Sequence, residues 1–116
     1  MTNRHLLGRQ AEEHALFFLK RHGLRLLARN YRSRFGEIDL ILLDESVLVF
    51  AEVRCRANPR FGGALESITS GKQKRLLQTA QHYLSRHPYD GPIRFDVLAL
   101  TPTSWGFDLE WIRNAF

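Results

Sequence analysis

The sequence predicts an α/β fold in the order helix, three strands, helix, two strands, with one central sheet flanked by the helices. Three observations carry this reading. Apolar residues recur at three- and four-residue spacing in two stretches, 3–22 and from Thr69 or Ser70 to His87. Five short stretches between and after them alternate or run apolar, as strands do. The joints are turn signals, and no repeat, low-complexity segment or linker interrupts the 116 residues, so a single domain spanning 1–116 is expected.

The first helix places Leu7, Ala11, Ala15, Phe18, Leu19 and His22 on one stripe, with Thr2 or Asn3 to cap it and Gly23 to end it. Glu12 and Glu13 lie near its middle, and the residues alone make both solvated surface acids. His5, His14 and His22 share no ligand spacing. From Lys20 to Arg34 the chain carries six cations and no acid. Within that run LRLLARNYR is compatible with a first strand, and its charge serves either a protected sheet edge or a surface that tracks phosphates. On the second alternative Arg29, Arg32 and Arg34, together with Arg56, Arg60 and Lys74 further on, are the expected nucleic-acid contacts.

Gly36 to Arg56 forms the hairpin around which the chain is organised. Its charged residues fall on alternate positions, so one face presents them together. A turn at Glu45 and Ser46 pairs Asp44 with Val47 and, counted outward, sets Asp39 opposite Glu52 and Glu37 opposite Arg54. Carboxylates opposed in this way, about 5 Å apart at their β-carbons, destabilise a hairpin unless something positive lies between them. The blander arrangement pairs Glu37 with Arg54 and leaves Asp39 and Glu52 to surface hydrogen bonds.

Beyond the hairpin, Asn58-Pro59 and Gly62-Gly63 mark a loop carrying Arg60 and Phe61. The second helix follows with Leu76, Leu77, Ala80, Tyr83 and Leu84 as its stripe. Lys72, Lys74 and Arg75 crowd its first turns, where cations oppose the helix dipole. IRFDVLAL and FDLEWIRNAF supply the last two strands.

Composition is that of an ordinary globular protein, 44% apolar and 25% charged, and disorder is not suggested. The charge of +5 arises from 17 basic residues, 14 of them Arg, against 12 acidic ones, which favours a polyanionic partner. A single cysteine, Cys55, excludes an internal disulfide framework and a multi-cysteine zinc site, and a buried small apolar role is expected of it. No apolar run approaches the roughly 18 residues of a membrane span, so a cytoplasmic protein without membrane contact is expected.

Two carboxylates on adjacent strands, joined by a third acid from a helix, form the oxygen-rich set that a hard divalent ion such as Mg²⁺ or Mn²⁺ takes. With a basic surround, such an ion points to phosphodiester hydrolysis. G-E-I-D-L-I followed by an apolar strand ending E-V-R-C-R resembles the D…E-x-K signature of the PD-(D/E)XK nuclease superfamily, with Asp39 and Glu52 in the metal positions and Arg54 in place of the usual lysine.

The chain as a whole resembles the YraN-like family of small bacterial proteins related to archaeal Holliday-junction resolvases. The residues that carry this likeness are Gly8 and Glu12, Asn30-Tyr31-Arg32, Gly36-Glu37-Ile38-Asp39, Phe50 with Glu52-Val53-Arg54, Phe61-Gly62, Lys72, Arg94-Phe95-Asp96 and Ala115-Phe116.

The resemblance implies a restriction-endonuclease-like three-layer core with a mixed five-stranded sheet. It also implies a metal held by Asp39, Glu52 and the Val53 carbonyl, with Glu12 completing the cluster, and a dimer acting on DNA, branched DNA included. An arginine does not give up its proton, so Arg54 is no general base. It is left to orient water or hold a phosphate, with Lys72 or Lys74 in the amine's place if the second helix docks nearby. The alternative is a nucleic-acid-binding module on a nuclease fold with little or no catalysis. A third reading is a protein-interaction domain with decorative charge.

Overall fold

A computed structural model describes residues 4–56, 63 and 65–116. Helix α1 (Arg4–Arg21) leads into strands β1 (Arg25–Ser33), β2 (Gly36–Asp44) and β3 (Val47–Cys55), then α2 (Ser70–Arg86), β4 (Ile93–Thr103) and β5 (Gly106–Ile112). The five strands form one sheet in sequence order. Neighbours are antiparallel except β3 and β4, which run parallel because α2 crosses over between them.

The expected element order is found, and the mixed sheet makes this an α/β protein with a helix on each face. Hairpin pairing forms along adjacent segments, so a sheet in sequence order needs only one long connection. Among the described residues no helix is long and apolar enough to cross a membrane.

Two cores lie on the two faces of the sheet. α1 buries Ala11, Ala15, Leu16 and Leu19 against Leu40, Leu42, Val49, Ala51, Leu98 and Leu100. α2 buries Leu76, Ala80 and Tyr83 against Ile41, Leu48, Phe50, Phe95 and Val97. In β3, even positions face α2 and odd positions face α1, which is the period-2 rule expected of a strand covered on both sides.

Gly23, at φ 88, ends α1 in the left-handed conformation that favours glycine at a helix C-terminus. Thr69 caps α2 by accepting from the Lys72 backbone N–H. His22, read as part of the α1 stripe, is exposed, and its Nδ1 lies 2.8 Å from the Phe18 carbonyl oxygen.

The last strand is shorter than the sequence suggests. Pairing stops at Ile112, and Asn114 turns left-handed at φ 52. The Ala115 N–H donates to the Phe95 carbonyl, and Phe116 stacks on Phe95. The buried Asp96 carboxylate gathers this region: it accepts from Arg94 Nε at 3.0 Å, Trp111 Nε1 at 2.9 Å and the Asn114 N–H at 3.0 Å, while Arg94 also pairs with Asp44. Its removal strands three donors at once.

Asp96→Ala is therefore expected to cost about 3 kcal/mol of unfolding free energy in a urea titration, because a buried ionic hydrogen-bond set is broken from one side.

Candidate functional site

The site exists because two strands stop pairing. β2 and β3 keep the register expected from the two-residue turn, Asp44 with Val47 through Leu42 with Val49, but their ladder ends at Leu40 and Ala51. The continuation that sets Asp39 opposite Glu52 and Glu37 opposite Arg54 is absent from the ladder. Beyond that point β2 remains paired with β1, down to Ser33 and Gly36, and β3 remains paired with β4, down to Cys55 and Leu100.

The cause lies in β1. Arg29 pairs with Leu40 and Tyr31 with Ile38, two residues apart, and these pairs should share one face. Leu40 instead packs in the α1 core, while Tyr31 and Ile38 pack with α2. Between them Asn30 adopts φ 50, a left-handed conformation that asparagine tolerates better than most residues. The β1–β2 ribbon turns over at Asn30 and Asp39, and β2 peels from β3.

Side chains complete what the ladder leaves open. The Asp39 carboxylate accepts the Val53 N–H at 2.8 Å, and the Glu52 carboxylate accepts the Asp39 N–H at 3.3 Å. This exchange places one acid from each strand in the gap. In a strand a residue's N–H and C=O leave on the same side, so the Val53 carbonyl also faces it.

Burial pushes the Asp39 carboxyl up to about 6; the Val53 N–H opposes this, Glu12 and Glu37 add to it, and Arg54 opposes it. Burial pushes Glu52 up to about 8, Asp39 adds to that, and Arg54 opposes it. The pair thus takes up a proton more readily than free carboxyls do.

Two cavities flank the pair, one on each sheet face. The α1-side cavity, about 510 Å³, is lined by Gly8, Glu12, Arg29, Asn30, Asp39 and Val53, among others. The α2-side cavity, about 150 Å³, is lined by Phe35, Glu52, Arg54, Lys72, Arg75 and others. Glu37 borders both.

The sequence-predicted residues thus divide. Glu12 stands beside Asp39, largely buried, 3.5 Å from Arg29. Arg29 also pairs with Glu13 at 2.7 Å, so its charge is engaged by α1 acids. Lys72 does dock near the hairpin, donating from Nζ to the Ser67 carbonyl and lining the cavity with Glu52 and Arg54. Arg54 approaches Glu52 at 3.5 Å. Arg32 is exposed and pairs with Glu37; Arg34, Arg56 and Lys74 are exposed. Arg60 lies outside the described residues. Cys55 is half-buried in the α1-side layer, and burial pushes its thiol up.

Sequence reasoning missed Asn30 and Arg75 as site members, and gave Glu37 no site role. Glu37 is held by Asn30 Nδ2 at 2.9 Å and Arg32. Only the Asn in Asn30-Tyr31-Arg32, a residue able to turn left-handed, signalled the twist.

Among the described residues no three acidic, histidine or cysteine side chains converge as a ready-made metal cluster. The donor set is instead two carboxylates and a backbone carbonyl. Mg²⁺ takes one or two protein carboxylates and keeps several waters, so this set fits such an ion without Glu12 as a direct ligand.

The family model described as uncharacterised protein family UPF0102 matches residues 11–100. The chain belongs to UPF0102. The matched span holds Glu12, Asn30, Glu37, Asp39, Glu52, Arg54, Lys72 and Arg75. A UPF0102 protein of Methylococcus capsulatus is 50% identical over 114 residues, 98% of this chain and 93% of its own length. One from Nitrosomonas europaea is 51% identical over 109 residues, covering 94% and 92%. Another, from Alcanivorax borkumensis, is 51% identical over 112 residues, covering 94% and 90%.

The raised carboxyls of this UPF0102 chain give a signed pH dependence. A carboxyl that binds its proton more tightly folded than unfolded adds stability fully below about pH 4 and loses it as pH rises toward 8. In EDTA the melting temperature should fall between pH 5 and pH 9. Glu52→Gln should flatten that fall and melt several degrees above wild type at pH 9, as read by circular dichroism.

Proposed function

We propose that this protein is a metal-dependent nuclease of the PD-(D/E)XK type, hydrolysing DNA phosphodiester bonds with Mg²⁺ or Mn²⁺. The observation that carries the reading is the gap between β2 and β3. It holds the buried Glu52 carboxylate and the half-buried Asp39 carboxylate, beside a backbone carbonyl and a third acid, in a basic surround. The α/β architecture, with a mixed sheet between two helices, accords with a restriction-endonuclease-like core.

Asp39, Glu52 and the Val53 carbonyl would hold the ion. When bound, it would lower the pKa of a water and polarise a phosphoryl oxygen. This chain's own residues do the rest. Glu12, beside Asp39 and turned toward Arg29, is placed to accept a hydrogen bond from a water entering the α1-side cavity. Arg54 stays protonated and contributes positive charge next to Glu52, where negative charge builds as the phosphorus is attacked. Lys72 adds a second cation on the same face. Exposed Arg32, Arg34, Arg56 and Lys74 offer salt-dependent contacts to the sugar-phosphate backbone.

A second reading rests on Arg54. With arginine at the lysine position and paired with Glu52, the fold serves as a nucleic-acid-binding module with little turnover. It predicts binding that weakens with salt and depends little on metal or on Glu52.

Incubation with branched, single-stranded and duplex DNA in Mn²⁺ separates the two. The nuclease reading expects cleavage that EDTA abolishes and that Asp39→Ala lowers by about 100-fold or more. No cleavage of any substrate by wild type, or equal cleavage by Asp39→Ala, would refute it. Mn²⁺ at pH 7.5 is also expected to raise the melting temperature of wild type but not of the Asp39→Asn, Glu52→Gln double variant.

A further inference from the structure

We propose that the α2-side cavity receives the terminal phosphate of a DNA strand, an anchor beside Glu52 that is built from the cavity's cations. The proposal rests on the nucleic-acid reading above but not on hydrolysis.

The cavity is lined by three cations, Arg54, Lys72 and Arg75, and by two acids, Glu37 and Glu52. Both acids are already engaged. Glu37 is held from the other face by Asn30 and Arg32, and Glu52 accepts the Asp39 N–H.

The cations are matched only in part. Arg54 reaches Glu52 through one terminal nitrogen at 3.5 Å, but its Nε is buried and, among the described residues, has no hydrogen-bond partner. A buried donor left open is costly and marks a missing acceptor. The Arg75 guanidinium forms no ion pair among the described residues, although its β-carbon packs at Gly36 at the cavity wall. Lys72 spends one of its three donors on the Ser67 carbonyl. All of this stands at the start of α2, whose first turn contains no acid. Cations at the positive end of a helix repel it, and an anion shared among them reverses the sign.

Size and charge choose the anion. The cavity of about 150 Å³ is well below the roughly 300–1,000 Å³ of pockets that enclose drug-sized ligands. It has room for about five water-sized groups, the bulk of a phosphate and less than that of a nucleoside. An internal phosphodiester brings a single negative charge to the three cations and would have to leave a sugar on each side outside the cavity. A terminal phosphate carries a charge of about −1.5 to −2 at pH 7 and a single attachment. The two guanidinium groups match it by forked hydrogen bonds.

The test is fluorescence anisotropy in EDTA with short single strands bearing a 5′-phosphate, a 3′-phosphate or hydroxyls at both ends. At least one phosphorylated strand is expected to bind roughly tenfold tighter than the hydroxyl strand, by added charge-assisted hydrogen bonds. The end preferred gives the strand polarity. In Arg75→Ala the preference should shrink to about twofold or less, with the fold verified by its melting curve.

Equal binding of all three strands, or a preference that survives Arg75→Ala, would overturn the proposal. Because EDTA removes the metal, a preserved end preference without Mn²⁺-dependent cleavage refutes only the nuclease reading. Cleavage without end preference refutes only the anchor.

Discussion

One exchange of hydrogen bonds organises this molecule: the Asp39 carboxylate takes the Val53 N–H, and the Glu52 carboxylate takes the Asp39 N–H. A continuous ladder would have satisfied the same two donors with backbone carbonyls and would have kept both acids on the surface of a closed hairpin. By substituting side-chain oxygens for main-chain ones, the chain gives both donors a partner as the sheet opens, and the opening brings the buried Glu52 and the half-buried Asp39 carboxylates together. The electrostatic cost is visible in the raised proton affinity of both groups. The two central strands, each still paired on its other side, keep the gap from collapsing.

Much of this was legible in the residues. Both helices, the hairpin turn at Glu45 and Ser46, and the register from Asp44 to Leu42 follow from periodicity and turn chemistry, which are local. Counting along the strands also brought Asp39 and Glu52 together, although by a pairing that the ladder does not make. Counting failed only where it assumed that a ladder persists to the end of an apolar run. Whether it does depends on what each strand does with its other neighbour, and that is tertiary information. The same limit hid Arg75, which with Thr79 comes up to Gly36 as Leu76 packs into the α2 core.

The basic run from Lys20 to Arg34 shows a different limit. Charge counting treats its arginines as equivalent, yet the fold sorts them. Arg29 is drawn to Glu12 and Glu13, and Arg32 to Glu37. Arg34 stays in solvent, over the Phe35 ring. A strand edge and an anion-tracking surface were posed as alternatives. β1 is an edge strand, and its residues also line the α1-side cavity.

The Asp96 clamp lies outside both cavities, but β4 connects it to them. Ala51 and Glu52 pair with Asp96 and Val97, so the strand that carries the Glu52 carboxylate is braced by the strand that the chain's last residues hold down. The final turn therefore acts as a latch on the strand that backs the gap. Removing Asn114 to Phe116, far in sequence from Asp39 and Glu52, would loosen the gap from behind and leave its chemistry nominally intact.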